Sequence, residues 1–143
     1  MKEFTMILMG LLGTLGFSLL FHVTGKKLIA IALGGAVSTA VYLLVLALTA
    51  QKPAAMLLST LVVGILAEVF ARCFKAPVIS FLVPMLVPLI PGSDLYYSTS
   101  FLIRGQSAEF AERVASLLWQ AGAIAFGIIL VSCLSHIKKR STP

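Results

Sequence analysis

Ser93 and Asp94 come directly after Pro91-Gly92, and Tyr96 and Ser100 follow at a spacing of one helical turn. A helix restarting at Gly92 or Ser93, one of them its cap and Asp94 in its first turn, would present unpaired backbone N–H groups and a partial positive charge. Such an end suits a carboxylate ligand, and Tyr96 and Ser100 would add polar contacts beside it. The same residues also fit a self-sufficient helix end, in which Asp94 satisfies the amide donors and the tyrosines form a membrane-interface belt. Just upstream, the apolar stretch Pro84-Met85-Leu86-Val87-Pro88-Leu89-Ile90-Pro91-Gly92 carries three prolines. Each removes a backbone donor and clashes with the carbonyl four residues earlier, so no smooth helix can run through it. Broken backbone at membrane depth is tolerated where it is buried in protein or lines a watery cavity, as at the substrate sites of transporters. The candidate substrate-binding or pathway residues are therefore Pro88, Pro91, Gly92, Ser93, Asp94, Tyr96 and Ser100.

Three further groups of residues have spacings with chemical meaning. Glu68, Arg72 and Lys75 fall on one helical face near the end of an apolar run, where Glu68 and Arg72 form either a simple i,i+4 ion pair or a gate. His22 closes the first apolar run, just before Gly25-Lys26-Lys27. Histidine titrates near neutral pH, which suits proton coupling; an interfacial side chain that snorkels to headgroups or caps a carbonyl is the alternative. Gly10, Thr14, Ser18 and His22 recur at every fourth position with Gly13 and Gly16 beside them. This small, partly polar strip reads as a helix-packing seam through Gly10, Gly13, Thr14 and Ser18, with a substrate pathway as its alternative.

Those residues sit in a chain that is 59% hydrophobic and 11% charged over 143 residues, with a mean hydropathy of +1.06. That composition is an integral membrane protein's. No Ser/Gly-rich linker and no long polar block appears, so a single membrane domain is expected over 1–143. Uncharged runs cover 4–25, 28–51, 53–67, 76–93 and 114–137. A helix needs about 20 residues to cross ~30 Å of hydrocarbon, so the third run must continue to Ala71, and the fourth is cut by its prolines. The fold class expected is all-α with about five transmembrane helices, the fourth broken. Residues 107–113 are polar and open the last helix, with Ser107 as N-cap, Glu109 in the first turn and Glu109/Arg113 as an i,i+4 pair.

Charge placement favours five crossings over four. With five, Lys26, Lys27, Arg72, Lys75, Lys138, Lys139 and Arg140 share one side, against Lys2, Lys52, Arg104 and Arg113 on the other. The positive-inside rule then puts the C-terminal tail in the cytoplasm. Although the net charge is +6, the cations are scattered between apolar runs. They read as topology signals and lipid-headgroup contacts rather than a nucleic-acid face. The run 4–23 is too long for a typical signal-peptide core and is taken as the first span. Cys73 and Cys133 lie far apart, outside any CxxC or metal-ligand pattern. The sequence contains no HExxH motif, no Walker loop and no nucleophile with a placed base. An enzyme, a metal and a cofactor are all unexpected.

Phe17-Ser18-Leu19-Leu20-Phe21-His22-Val23 with Lys26-Lys27-Leu28, Glu68-Val69-Phe70-Ala71-Arg72 with Lys75-Ala76-Pro77, and Pro88-Leu89-Ile90-Pro91-Gly92-x3-Tyr96 occur in order along the chain. In sequence, order and spacing this resembles the threonine/serine exporter family, over nearly the whole chain. The resemblance is nearest to the small YjjB-like subunit of its split transporters. The chain departs from the family pattern at His22, where many relatives carry Asn, and at Thr24, where Pro is expected. The resemblance implies a cytoplasmic-membrane secondary exporter of small carboxylated metabolites, serine/threonine or a dicarboxylate such as succinate. It also implies a larger YjjP-like partner with a soluble N-terminal region. A non-transporting scaffold that stabilises such a partner is the alternative reading.

Overall fold

The computed structural model describes residues 2–140; the side chains of Lys2, Lys138, Lys139 and Arg140, which enter the charge count, lie outside what is described. The elements are α1 (Lys2–Leu20), α2 (Lys26–Thr49), α3 (Lys52–Phe74), α4 (Ile79–Leu86), a 3-10 turn (Val87–Leu89), α5 (Gly92–Ile103) and α6 (Ser107–Arg140). The chain is an all-α membrane protein. Four helices, α1, α2, α3 and α6, are each long and apolar enough to cross a bilayer. The prolines break the remaining segment as expected, and the helical pieces on either side of the break are bent by 55°.

Side-chain packing fixes the direction of each pass. Thr60 lies against Gly127 and Val131 against Gly64, so α3 and α6 run parallel. A parallel pair requires the intervening chain to return once, and the broken segment makes that return. Counting the bent pair as one span gives five passes, with α4 descending beside α2 and α3. Phe81 of α4 is fully buried between Phe70 and Phe74, with ring centroids 6.2 and 5.8 Å away. Met85 and Leu89 continue the same buried stripe.

The small strip on α1 makes a seam with α2. A Cβ at Gly10 would collide with Thr39, and one at Gly35 with Thr14, so each glycine admits the other helix's threonine. Thr14 donates to the Gly10 carbonyl at 2.7 Å, Ser18 to the Thr14 carbonyl at 2.7 Å and Thr39 to the Gly35 carbonyl at 3.1 Å. Each hydroxyl is therefore satisfied within its own helix, and the apolar flanks make the contact. Gly13 is not part of this seam: it is exposed, with open space where a Cβ would stand.

Several helix ends differ from expectation. α5 begins at Gly92 with Pro91 in the cap position, so neither Gly92 nor Ser93 caps it. α6 begins with the Phe110 amide donating to the Gln106 carbonyl, so Ser107 is its first helical residue rather than its cap. His22 ends α1 with a φ of 56°, and the Val23 amide donates back to the Ser18 carbonyl at 3.0 Å. This is the left-handed closure by which many helices stop. Histidine, like asparagine, is among the residues that enter that region most readily.

Candidate functional site

At the break, the restarted helix α5 places Asp94 in its first turn, where the helix dipole favours an anion. Asp94 is 2% exposed. Its carboxylate collects donors from two other helices. Lys52 Nζ, at the start of α3, stands 3.2 Å from Oδ1 and 3.0 Å from Oδ2. Arg113 Nη1 of α6 donates to Oδ1 at 3.2 Å, and Gln120 Nε2 to Oδ2 at 2.6 Å. Gln120 is itself buried and also donates to Ser116 Oγ at 3.0 Å. The Arg113 guanidinium lies 5.8 Å above the Tyr97 ring.

One carboxylate thus faces two cations, leaving a net positive charge at the break. Burial of an ionised carboxylate is costly unless it is paired and hydrogen-bonded, and here it is both. The cations retain capacity: an ammonium has three donors and a guanidinium five, and both side chains are partly solvent-accessible. A cavity of about 350 Å³ opens beside the cluster. Tyr42, Lys52, Asp94 and Gln120 supply its polar wall, and residues 88–93 form its floor. An anionic group entering it would meet the Lys52 ammonium at the positive end of α5, where the Gly92 and Leu95 amides already donate to the Ile90 and Pro91 carbonyls. Arg113 does not line the cavity; it holds Asp94 from behind.

Of the residues singled out from the sequence, Pro88, Pro91, Gly92, Ser93 and Asp94 meet at this cavity. Tyr96 and Ser100 do not. Tyr96 is 71% exposed and packs edge-on against Tyr97 at 5.5 Å, because a helix restarting at Gly92 turns that position outward. The buried hydroxyl of this helix is Ser98, which donates to the Leu95 carbonyl at 2.8 Å. Glu68 and Arg72 form the i,i+4 pair at 3.7 Å. They lie sixteen and twenty residues along α3 from Lys52, ~24 and ~30 Å at 1.5 Å per residue. Arg113 turns to Asp94 and does not pair with Glu109 among the described residues. His22 is exposed beyond α1 and joins neither group.

Lys52, Arg113, Gln120 and Tyr42 are the residues that reading the sequence missed as site members. A signal existed for two of them: Arg113, Ser116 and Gln120 recur at i, i+3 and i+7, a polar face on an otherwise apolar helix. No groups of acidic, His and Cys residues that could hold a metal ion occur among the described residues. The family model described as Threonine/Serine exporter, ThrE, matches residues 6–134. No curated protein and no solved structure matches the chain.

Proposed function

This chain belongs to the threonine/serine exporter family, a family of transporters, and from that premise we propose that it is the small membrane subunit of a secondary exporter of small carboxylated metabolites. Serine/threonine or a dicarboxylate such as succinate is the cargo, and a larger membrane subunit with a soluble N-terminal region is the partner. The assembly works in the cytoplasmic membrane of a prokaryote, with the C-terminus of this chain in the cytoplasm.

The observation that carries this reading is the Lys52–Asp94–Gln120 cluster at the proline break, bordering a cavity. A buried carboxylate is costly unless paired and hydrogen-bonded, and its place at the helix break, beside a cavity, supports a role in the substrate pathway. The substrate carboxylate takes the Lys52 ammonium at the positive end of α5, while an amino group takes Asp94. Broken helices at a repeat or subunit interface are where alternating-access transporters bind cargo. The exposed apolar faces of α1 and α6 support a partner subunit as well as lipid contact.

Export assays on co-expressed subunits test it, with cells loaded with labelled serine, threonine and succinate. Lys52→Met is expected to lower export of the true cargo at least about tenfold at equal membrane abundance, as expected when a charged hydrogen bond is lost. Unchanged export per transporter in both Lys52→Met and Asp94→Asn would remove the site assignment.

A further inference from the structure

Hydroxyls on these helices ordinarily donate to a carbonyl three or four residues back in their own helix, as those of Thr14, Ser18, Thr39, Thr49 and Ser98 do. Ser38 and Ser59 do not. Both are fully buried, and neither hydroxyl has a protein hydrogen-bond partner among the described residues. An unpaired buried donor is costly, so each such group in a folded chain calls for a reason. A third hydroxyl of this kind, on Thr60, belongs to the α3–α6 seam, where the Thr60 methyl seats against Gly127.

Short turns join α2 to α3 and α3 to α4, so α2 and α4 run in the same direction. The Met85 side chain of α4 fills the space over Gly34 of α2. Four residues further along each, Ser38 and Leu89 come to the same level. On α3, Ser59 lies between Met56, which lines the charged cavity, and Val63, which packs in the core with Met85. Leu89 is 1% exposed and lines the cavity, so its turn separates the charged chamber from two buried hydroxyls. The break adds an acceptor beside it. Pro91 has no amide to offer and the Gly92 amide donates to the Ile90 carbonyl at 2.7 Å, which leaves the Pro88 carbonyl without a backbone donor. Along α3, Ser59 is seven residues from Lys52 and nine from Glu68, ~10 and ~14 Å, so it stands midway between the charged groups.

We propose that Ser38 and Ser59 form a second polar station on the cargo pathway, deeper in the bundle than Lys52 and closed from the charged cavity in this structure by the Leu89 turn. The proposal rests on the reading that the charged cavity holds cargo. A small polar solute moving past Leu89 toward the Glu68 end of α3 finds two hydroxyls there, each able to donate and accept, and the Pro88 carbonyl. Beyond them the core is apolar, with Ile31, Val63, Phe81 and Met85 packed together. Packing alone does not call for serine at these positions, because alanine would occupy the space without an unpaired donor. Hydroxyls that are unpaired in one conformer and bonded to cargo in another have a use that packing does not supply.

The test labels thiols in the full-length chain co-expressed with its partner subunit, in a Cys73→Ser, Cys133→Ser background that still exports, because both native cysteines are exposed. The probe is the water-soluble anion 2-sulfonatoethyl methanethiosulfonate, which converts a thiolate to a mixed disulfide and releases methanesulfinate. Ser38→Cys and Ser59→Cys are expected to react during transport. L-serine, L-threonine and succinate are each added in turn, and the true cargo at about ten times its Kd is expected to slow labelling about tenfold, by mass action. Thr60→Cys, equally buried but in the helix seam, is expected not to react. Ser38→Ala combined with Ser59→Ala gives a second measurement: export per transporter falls several-fold while the melting temperature holds or rises, a split that a packing role would not produce. Unreactive thiols at both positions, labelling that no cargo slows, a Thr60→Cys that reacts as fast, or full export in the double alanine variant overturns the proposal. If Lys52→Met lowers export in that event, the charged cavity keeps its cargo and only the second station falls. If Lys52→Met and Asp94→Asn both export normally, the two readings fall together.

Discussion

Lys52 and Asp94 stand 42 residues apart in sequence, and the lysine ammonium spans both oxygens of the carboxylate at 3.2 and 3.0 Å. Asp94 ties the restarted helix α5 to α3, while Arg113 and Gln120 tie it to α6. A single buried carboxylate therefore joins three helices at the point where the membrane segment breaks.

Removing that carboxylate should disturb both stability and transport. Asp94→Ala leaves two cations facing each other across an empty position. A broken buried pair costs about 3–5 kcal/mol, but Lys52 and Arg113 are each more than a third exposed, so water screens them. A loss of ~2 kcal/mol in detergent-solubilised protein is the expected result. Lys52→Met combined with Asp94→Asn should cost less than the sum of the single changes, because the pair is removed together. Thermal unfolding of the four proteins in the cycle measures this; additive effects would mean the contact contributes nothing.

Gln120→Leu tests whether the buried amide positions Asp94. The substitution removes the 2.6 Å donor from Oδ2 and leaves Lys52 and Arg113 in place. A hydrogen bond to a charged group contributes about 1.5–3 kcal/mol. The expected outcome is an export rate lowered several-fold at unchanged membrane abundance, with Gln120→Asn recovering little because its shorter side chain does not reach. Full activity in Gln120→Leu would show that the two cations alone hold Asp94.

His22→Gly separates a backbone role from a proton-coupling role. The residue sits at a φ of 56°, a conformation glycine adopts without the Cβ penalty of roughly 1–2 kcal/mol. Export should persist with its pH dependence intact, and the melting temperature should rise slightly. A lost or flattened pH profile would instead assign the imidazole to coupling. Ala50→Gly, at a φ of 54°, is the control for the backbone effect alone.

The α1–α2 seam gives a contrast within one helix face pattern. Gly35→Ala drives a methyl into Thr14, which is buried and fixed by its bond to the Gly10 carbonyl. Overpacking of this kind costs about 1–3 kcal/mol. Gly13→Ala meets open space inside α1 and should raise stability by about 0.5–1 kcal/mol, the helix-interior cost of glycine. Thermal melts of both variants check the pair; equal effects would mean the helices part at the seam to accept the extra methyl.

What could be read from the sequence was whatever depends on neighbours within a helix. The apolar runs gave α1, α2, α3 and α6, and the prolines gave the break, because both are local consequences of side-chain type and backbone donors. Asp94 emerged for the same reason, being the acidic residue in the first turn after Pro91-Gly92. Its partners did not, since Lys52, Arg113 and Gln120 come from two other helices at separations of 42, 19 and 26 residues. Their meeting depends on α3 and α6 lying parallel, which is decided by Thr60 against Gly127 and Val131 against Gly64. Periodicity within a helix carries no information about that register. Tyr96 shows the converse case: it keeps its one-turn spacing from Ser100, but neither residue lines the cavity.

Two tyrosines therefore provide a discriminating pair. Tyr42 lines the cavity from α2, whereas Tyr96 is exposed on α5 and does not line it. Tyr42→Phe keeps the ring and removes only the hydroxyl from the cavity's polar wall, so export of a cargo bonded to that hydroxyl should fall several-fold while assembly is unchanged. Tyr96→Phe should be silent within about twofold, as surface substitutions away from special features usually are. Side-by-side export rates, normalised to membrane abundance, decide the matter. A silent Tyr42→Phe with an impaired Tyr96→Phe would move the site to the outer face of α5, where a partner subunit would have to complete it.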